Sequence, residues 1–297
     1  MNENKPDMKF RICDILLIIM IILPIVAGWA LKILFVPAAE GIQISGAYIY
    51  FTIPMPWMDL PITEAQINSW IVIISLFFIC LYITHGIRAK VYTKRAVVAE
   101  WIVEKVEGLV KGNMGDYFIG MAPFIASILG LSALSSLMSL LGLFPPTSDL
   151  NIVAGWAILV FFLITYYKMK CGPLHYLKSF GEPVPFLAPL NIISEVATPV
   201  SMAFRHYGNI LSGTVISVLI AAGLSGLSNL VLGWLPGAFG DFPFLRIGIP
   251  AVLSVYFDVF SGCLQAFIFA MLTMLYIGGA FSLEDYLAKK KLKSKKS

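Results

Sequence analysis

The sequence predicts an all-α polytopic membrane protein of about six crossing helices plus one amphipathic surface helix. Three observations predict it. Of the 297 residues, 59% are hydrophobic and 13% charged, against roughly 25% charged in a soluble domain. Uncharged runs at 15–31, 65–87, 117–148 and 259–283 have the length that a bilayer demands. And 18 of the 21 Lys and Arg fall in four clusters that alternate with those runs. A soluble globule is excluded, and little polar chain remains for a water-soluble domain, so ATP or GTP hydrolysis by this chain alone is not expected. Cys13, Cys80, Cys171 and Cys263 stand singly without zinc or redox spacing. No cofactor or metal is expected. The net charge of +4 reports orientation and gives no reason to expect nucleic acid.

Lys5, Lys9 and Arg11 precede the first apolar run, and no Lys or Arg lies between Phe35 and Ser69. The positive-inside rule therefore puts the amino terminus in the cytoplasm. A cleaved signal peptide ending near Ala38 and Ala39 is the rival reading, but so long an apolar core favours a retained anchor. The chain accordingly divides into an extra amino-terminal span, 1–36, and a membrane domain, 37–297. A second span near 67–87 returns to Arg88, Lys90, Lys94, Arg95, Lys105 and Lys111. Val98, Ile102, Val106 and Leu109 then recur at helical spacing opposite Glu100, Glu104 and Glu107, which predicts a helix lying on the cytoplasmic surface. A solvated linker helix is the plainer alternative.

Residues 117–143 lead out, 144–151 turn, and 152–167 return to Lys168, Lys170 and Lys178. Residues 189–235 lead out again, a Gly- and Pro-rich loop around 236–243 turns, and the last helix runs to the Lys cluster at 289–296. Six crossings leave both termini inside.

Charge inside this frame is expensive, so a buried one is by default a functional hypothesis. Arg205 lies ten residues past Glu195, in a segment uncharged from His206 to Gly240, with no helix end to snorkel toward. Ser201, Asn209 and Ser212 share its face at helical spacing. In the last span Ser254, Asp258, Gly262 and Gln265 follow the same rhythm. Two facing polar seams would bound a wet, charged path for an ion. A structural salt bridge from Arg205 to Glu195 or Asp258 is the alternative. Gly208, Gly213 and Gly262 would permit close helix approach.

At these residues a resemblance appears. Pro199-Val-Ser-Met-Ala-Phe-Arg205-His-Tyr-Gly-Asn209-Ile-Leu-Ser-Gly213 resembles the signature segment of subunit a of the F-type ATP synthase. Leu264-Gln-Ala-Phe-Ile-Phe-Ala-Met-Leu-Thr-Met-Leu-Tyr276-Ile resembles that family's last helix. Ser148-Asp-Leu-Asn151, Gly172-Pro-Leu-His-Tyr-Leu-Lys178 and Asn191-Ile-Ile-Ser-Glu195 extend the similarity over roughly 65–283.

The resemblance implies a non-catalytic stator in a bacterial plasma membrane, where two offset half-channels carry H⁺ or Na⁺ to and from a ring of c subunits. It implies b subunits and, indirectly, the catalytic head as partners, with lipid around the chain. Carried over by position, Arg205 would be the stator arginine on a long, tilted helix. Asn209 and Gln265 would flank it at the ring, Glu195 would serve the cytoplasmic exit, and Asp258 the outer half-channel. Ser201, His206 and Ser254 are candidate channel-lining residues. Four positions depart from the family pattern: His206-Tyr207 replaces the usual Leu-Phe, Thr214 stands where His or an acid is common, and Asp258 where Glu or His is. A secondary transporter with a buried-charge site is the rival function, but the two halves show no internal repeat. The Ser-Gly pairs Ser212-Gly213, Ser225-Gly226 and Ser261-Gly262, with His206 as a base, raise an intramembrane serine protease without defining a dyad.

Overall fold

The computed structural model describes residues 8–37, 46–56, 58–88, 94–181, 184–232 and 255–282, with single positions 248, 250, 252, 253 and 286. Among them, six helical stretches are long and apolar enough to cross a membrane: Met8–Phe35, Glu64–Ile87, Asp116–Leu141, Leu150–Cys171, Pro185–Val231 and Val255–Gly279. Helices satisfy their backbone polar groups internally, which hydrocarbon demands. The loop expected at 236–243 and the Lys cluster at 289–296 lie outside the described residues.

The elements in order are α1 (Met8–Phe35), β1 (Ile49–Ile53), β2 (Leu60–Thr63), α2 (Glu64–Arg88), α3 (Lys94–Met114), α4 (Ala122–Leu137), α5 (Leu150–Cys171), α6 (Pro173–Ser179), α7 (Ala188–Leu232), a π-helix (Val255–Ser261) and α8 (Gly262–Gly279). The antiparallel hairpin β1–β2 is not announced by hydropathy. Its register runs from Ile49 opposite Thr63 to Ile53 opposite Leu60. β-branched and aromatic residues suit a pleated strand, and Pro54 and Pro56 stop β1. The Glu64 N–H donates to Tyr48 O at 2.8 Å, so the hairpin leads straight into α2.

The chain forms two compact units. The first holds residues 1–99, 130–149 and 207–266. In it α1 packs along α2, with Ile25 and Ile67 against a small core of Ile71, Val72, Met138 and Leu143. A Cβ on Gly28 would come within 2.6 Å of Ile71 Cδ1, so the helices approach at a residue without a side chain. At one end, Arg95 Nη2 donates to both oxygens of Asp14, at 2.7 and 2.9 Å, and His85 Nδ1 lies 3.0 Å from Asp14 Oδ1. At the other end the turn after α4 offers its carbonyls. Trp29 Nε1 donates to Leu141 O at 2.7 Å, Lys32 Nζ to Gly142 O at 2.6 Å, and Asn68 Nδ2 to Phe144 O at 2.8 Å. Gly142, at φ 69°, supplies the left-handed residue that closes this turn.

The second unit holds residues 100–129, 150–206 and 267–297. Its core joins Phe118, Ile125, Val153, Val160, Met202, Phe269, Met274 and Ile277. α3 meets this core through Val106, Leu109 and the buried Val110, while Val98, Trp101 and Ile102 remain exposed. The predicted apolar stripe is thus divided between core and surface.

Candidate functional site

In the second unit, α7 carries Glu195, Ser201, Arg205 and His206. Ten residues of helix put Glu195 and Arg205 about 15 Å apart along the axis. Ser201 and Arg205 are exposed on this helix. No described residue of the same unit forms an ion pair with Arg205; Glu195, one of its two expected salt-bridge partners, has others. His206 faces the core instead. It is 0% exposed, with the rings of Trp156 and Phe269 edge-on at 6.2 and 5.5 Å between centroids. Adjacent positions on a helix point about 100° apart, which separates an exposed Arg205 from a core His206.

Glu195 lines a cleft of about 330 Å³ with Lys168, Asn191, Ser194, Thr198 and Tyr276. Lys168 Nζ donates to Glu195 Oε1 at 2.8 Å, and Tyr176 Oη donates to the same oxygen at 3.0 Å. α6 places Tyr176 there: Pro173 starts that helix after Gly172, whose φ of 155° only glycine adopts readily. Burial, and then the Glu195 carboxylate, pushes the Tyr176 phenol above its ordinary pKa, which keeps the donated proton in place. Lys168 was legible in the sequence only as a topology charge, and the pairing with Glu195 was not.

In the first unit, the later part of α7 meets the π-helix. Asn209 Nδ2 donates to Ser261 Oγ at 2.9 Å, and Ser261 Oγ lies 3.2 Å from Asn209 Oδ1. A Cβ on Gly213 would lie 3.0 Å from Phe257 Cδ1, and one on Gly262 would lie 2.8 Å from Ser136 Cβ. Both glycines therefore sit where helices touch. Asp258 is half-buried in the middle of the π-helix. Gln265 is 5% exposed on α8. Ser254 lies outside the described residues. The spacing of 258, 262 and 265 assumes α geometry throughout, whereas π turns close at i→i+5 and rotate the stripe. Thr214 Oγ1 is turned onto its own helix, donating to Ile210 O at 3.0 Å. Ser261 was visible in sequence only as half of a Ser-Gly pair. Among the described residues no cluster of His, Cys, Asp and Glu could hold a metal ion.

Residues 66–278 match the family model described as ATP synthase A chain. "ATP synthase subunit a" of Priestia megaterium is 33% identical over 232 residues, 73% of this chain and 92% of the relative. The protein of the same name from Bacillus pumilus is 33% identical over 198 residues, covering 62% and 78%. That from Legionella pneumophila strain Paris is 25% identical over 228 residues, covering 76% and 90%. The model match begins two residues into α2, so α1 and the hairpin precede it.

Proposed function

The chain belongs to the ATP synthase subunit a family, and from that premise we propose that it is the ion-conducting stator subunit of a bacterial rotary F-type ATP synthase. In this reading two offset half-channels carry H⁺ or Na⁺ to and from a c-ring, b subunits hold the stator, and the ATP chemistry resides in the catalytic head. Both termini are assigned to the cytoplasm.

The observation that carries the reading is Arg205: an exposed guanidinium in the middle of an apolar helix, where a charge is retained at a cost of at least about 2.5 kcal/mol. Facing a ring carboxylate, it would favour that group's ionised form and block direct passage between the half-channels. α7 supports this by its length. Its 45 residues extend about 67 Å, twice a hydrocarbon layer of about 30 Å, which suits a helix strongly tilted along a ring. Glu195, in a polar cleft at the end of α7 that enters from the Lys-rich loop, fits the inner exit. Asp258, Asn209 and Gln265 are assigned to the path on the other side, with Ser201 and Ser254 as lining.

The test is ATP-driven ion uptake into vesicles carrying the assembled complex, with and without sodium. Arg205→Ala should abolish coupled uptake and synthesis while the complex still assembles. Normal synthesis in that variant would sink the assignment.

A further inference from the structure

The cleft beside Glu195 has an asymmetry that a plain ion pair does not require. Lys168 Nζ and Tyr176 Oη both bond to Glu195 Oε1, at 2.8 and 3.0 Å. Oε2 takes no hydrogen bond among the described residues, although the Glu195 side chain is only 11% exposed. The second donor, Tyr176, bonds the oxygen that Lys168 already holds rather than the other one. Two other polar side chains of the cleft bond to backbone: Thr198 Oγ1 donates to Ser194 O at 3.1 Å and Asn191 Nδ2 to Phe180 O at 2.8 Å. Among the described residues, the other charged and titratable groups lining the cleft or bonded to the carboxylate are Lys168 from α5, Tyr176 from α6 and Tyr276 from α8.

Lys168 is itself restrained. Its Nζ lies 5.6 Å from the Tyr176 ring centroid, and its side chain is 31% exposed. Donors from two elements, α5 and α6, thus converge on one carboxylate oxygen of α7.

We propose that Lys168 and Tyr176 are positioning residues for ion release, holding Glu195 by Oε1 so that Oε2 alone meets the ion in the cleft. The inference rests on the stator reading above. A proton arriving from the ring would form an O–H bond at Oε2, and that bond would break as water takes the proton, returning the carboxylate unchanged. A sodium ion would use the same oxygen as a ligand. Removing Lys168 leaves a partly buried carboxylate without its counter-charge and held by Tyr176 alone; removing Tyr176 loosens it without removing charge.

The experiment uses the whole complex in vesicles, reading ATP-driven uptake with and without sodium, and passive ion conduction after the catalytic head is stripped off. Lys168→Gln should slow both by roughly fivefold, since residues that act as a unit couple strongly. Tyr176→Phe should fall between it and the unaltered chain, and Lys168→Arg should restore most of the rate. In a Glu195→Gln background, Lys168→Gln should add nothing. Full rate in Lys168→Gln while Glu195→Gln is slow, or simple multiplication of the two defects, would overturn the proposal. If Lys168→Gln fails to assemble, Tyr176→Phe decides in the same way. Coupled uptake that persists in Arg205→Ala would instead remove the stator reading, whatever Lys168 does.

Discussion

At the scale of single residues, the site is a set of charges with unequal surroundings. Asp258 is half-buried within a widened turn, and under the proposed function its carboxylate would relay a proton in the outer half-channel. Asp258→Asn should therefore cut proton-driven synthesis severely while Asp258→Glu retains much of it; equal activity of the two would exclude a relay. Tyr50, on β1, offers a simpler titration. Burial first, and the Glu64 carboxylate second, lift its phenol from 10.0 to about 12. The folded chain keeps that proton where an unfolded chain has lost it, so the stabilisation is complete below pH 10 and disappears as pH rises through about 12. Absorbance titration should show late phenols, Tyr50 and Tyr176 among them; Tyr50→Phe should remove part of that phase, and Glu64→Gln should move the same part earlier. Arg205 was legible because a lone charge in apolar sequence is costly. The pairing of Lys168 with Glu195 was not, because they lie 27 positions apart on different helices with α6 between them.

At the scale of elements, the helices were legible and their irregularities were not. Twenty apolar residues suffice to announce a span. Nothing in 255–261 announces a π turn, which depends on how Phe257 meets Gly213 and how Ser261 meets Asn209. Hairpin register likewise depends on pairing, which composition does not encode. The glycine contacts give a direct test. Gly262→Val would place β-branched bulk where even a Cβ is 2.8 Å from Ser136 Cβ, and overpacking of this kind costs about 1–3 kcal/mol. Thermal unfolding of the purified complex should show the loss, and Gly262→Ala with Ser136→Gly should recover most of it. Ser261→Ala, which removes one side-chain hydrogen bond, should cost about 1 kcal/mol in the same assay.

At the scale of the whole molecule, the six spans were the most legible property, and the basic clusters that alternate with them predict an orientation. Met58, beyond α1 on the hairpin side and 81% exposed, should as Met58→Cys react with an impermeant thiol reagent from the outside only; labelling from the cytoplasm alone would invert the topology. The ties between α1, α2 and the turn after α4 also bear on the order of synthesis. α1 and α2 emerge from the ribosome first and contain one another's apolar partners, so they can pair as soon as residue 88 is in the membrane. The carbonyls that receive Trp29, Lys32 and Asn68 belong to residues 141–144, and translation at about 5–20 residues per second reaches them ~3–11 s later. A nascent chain arrested between those points would hold a finished helical hairpin whose outer donors still face water, a waiting state that the completed protein no longer visits.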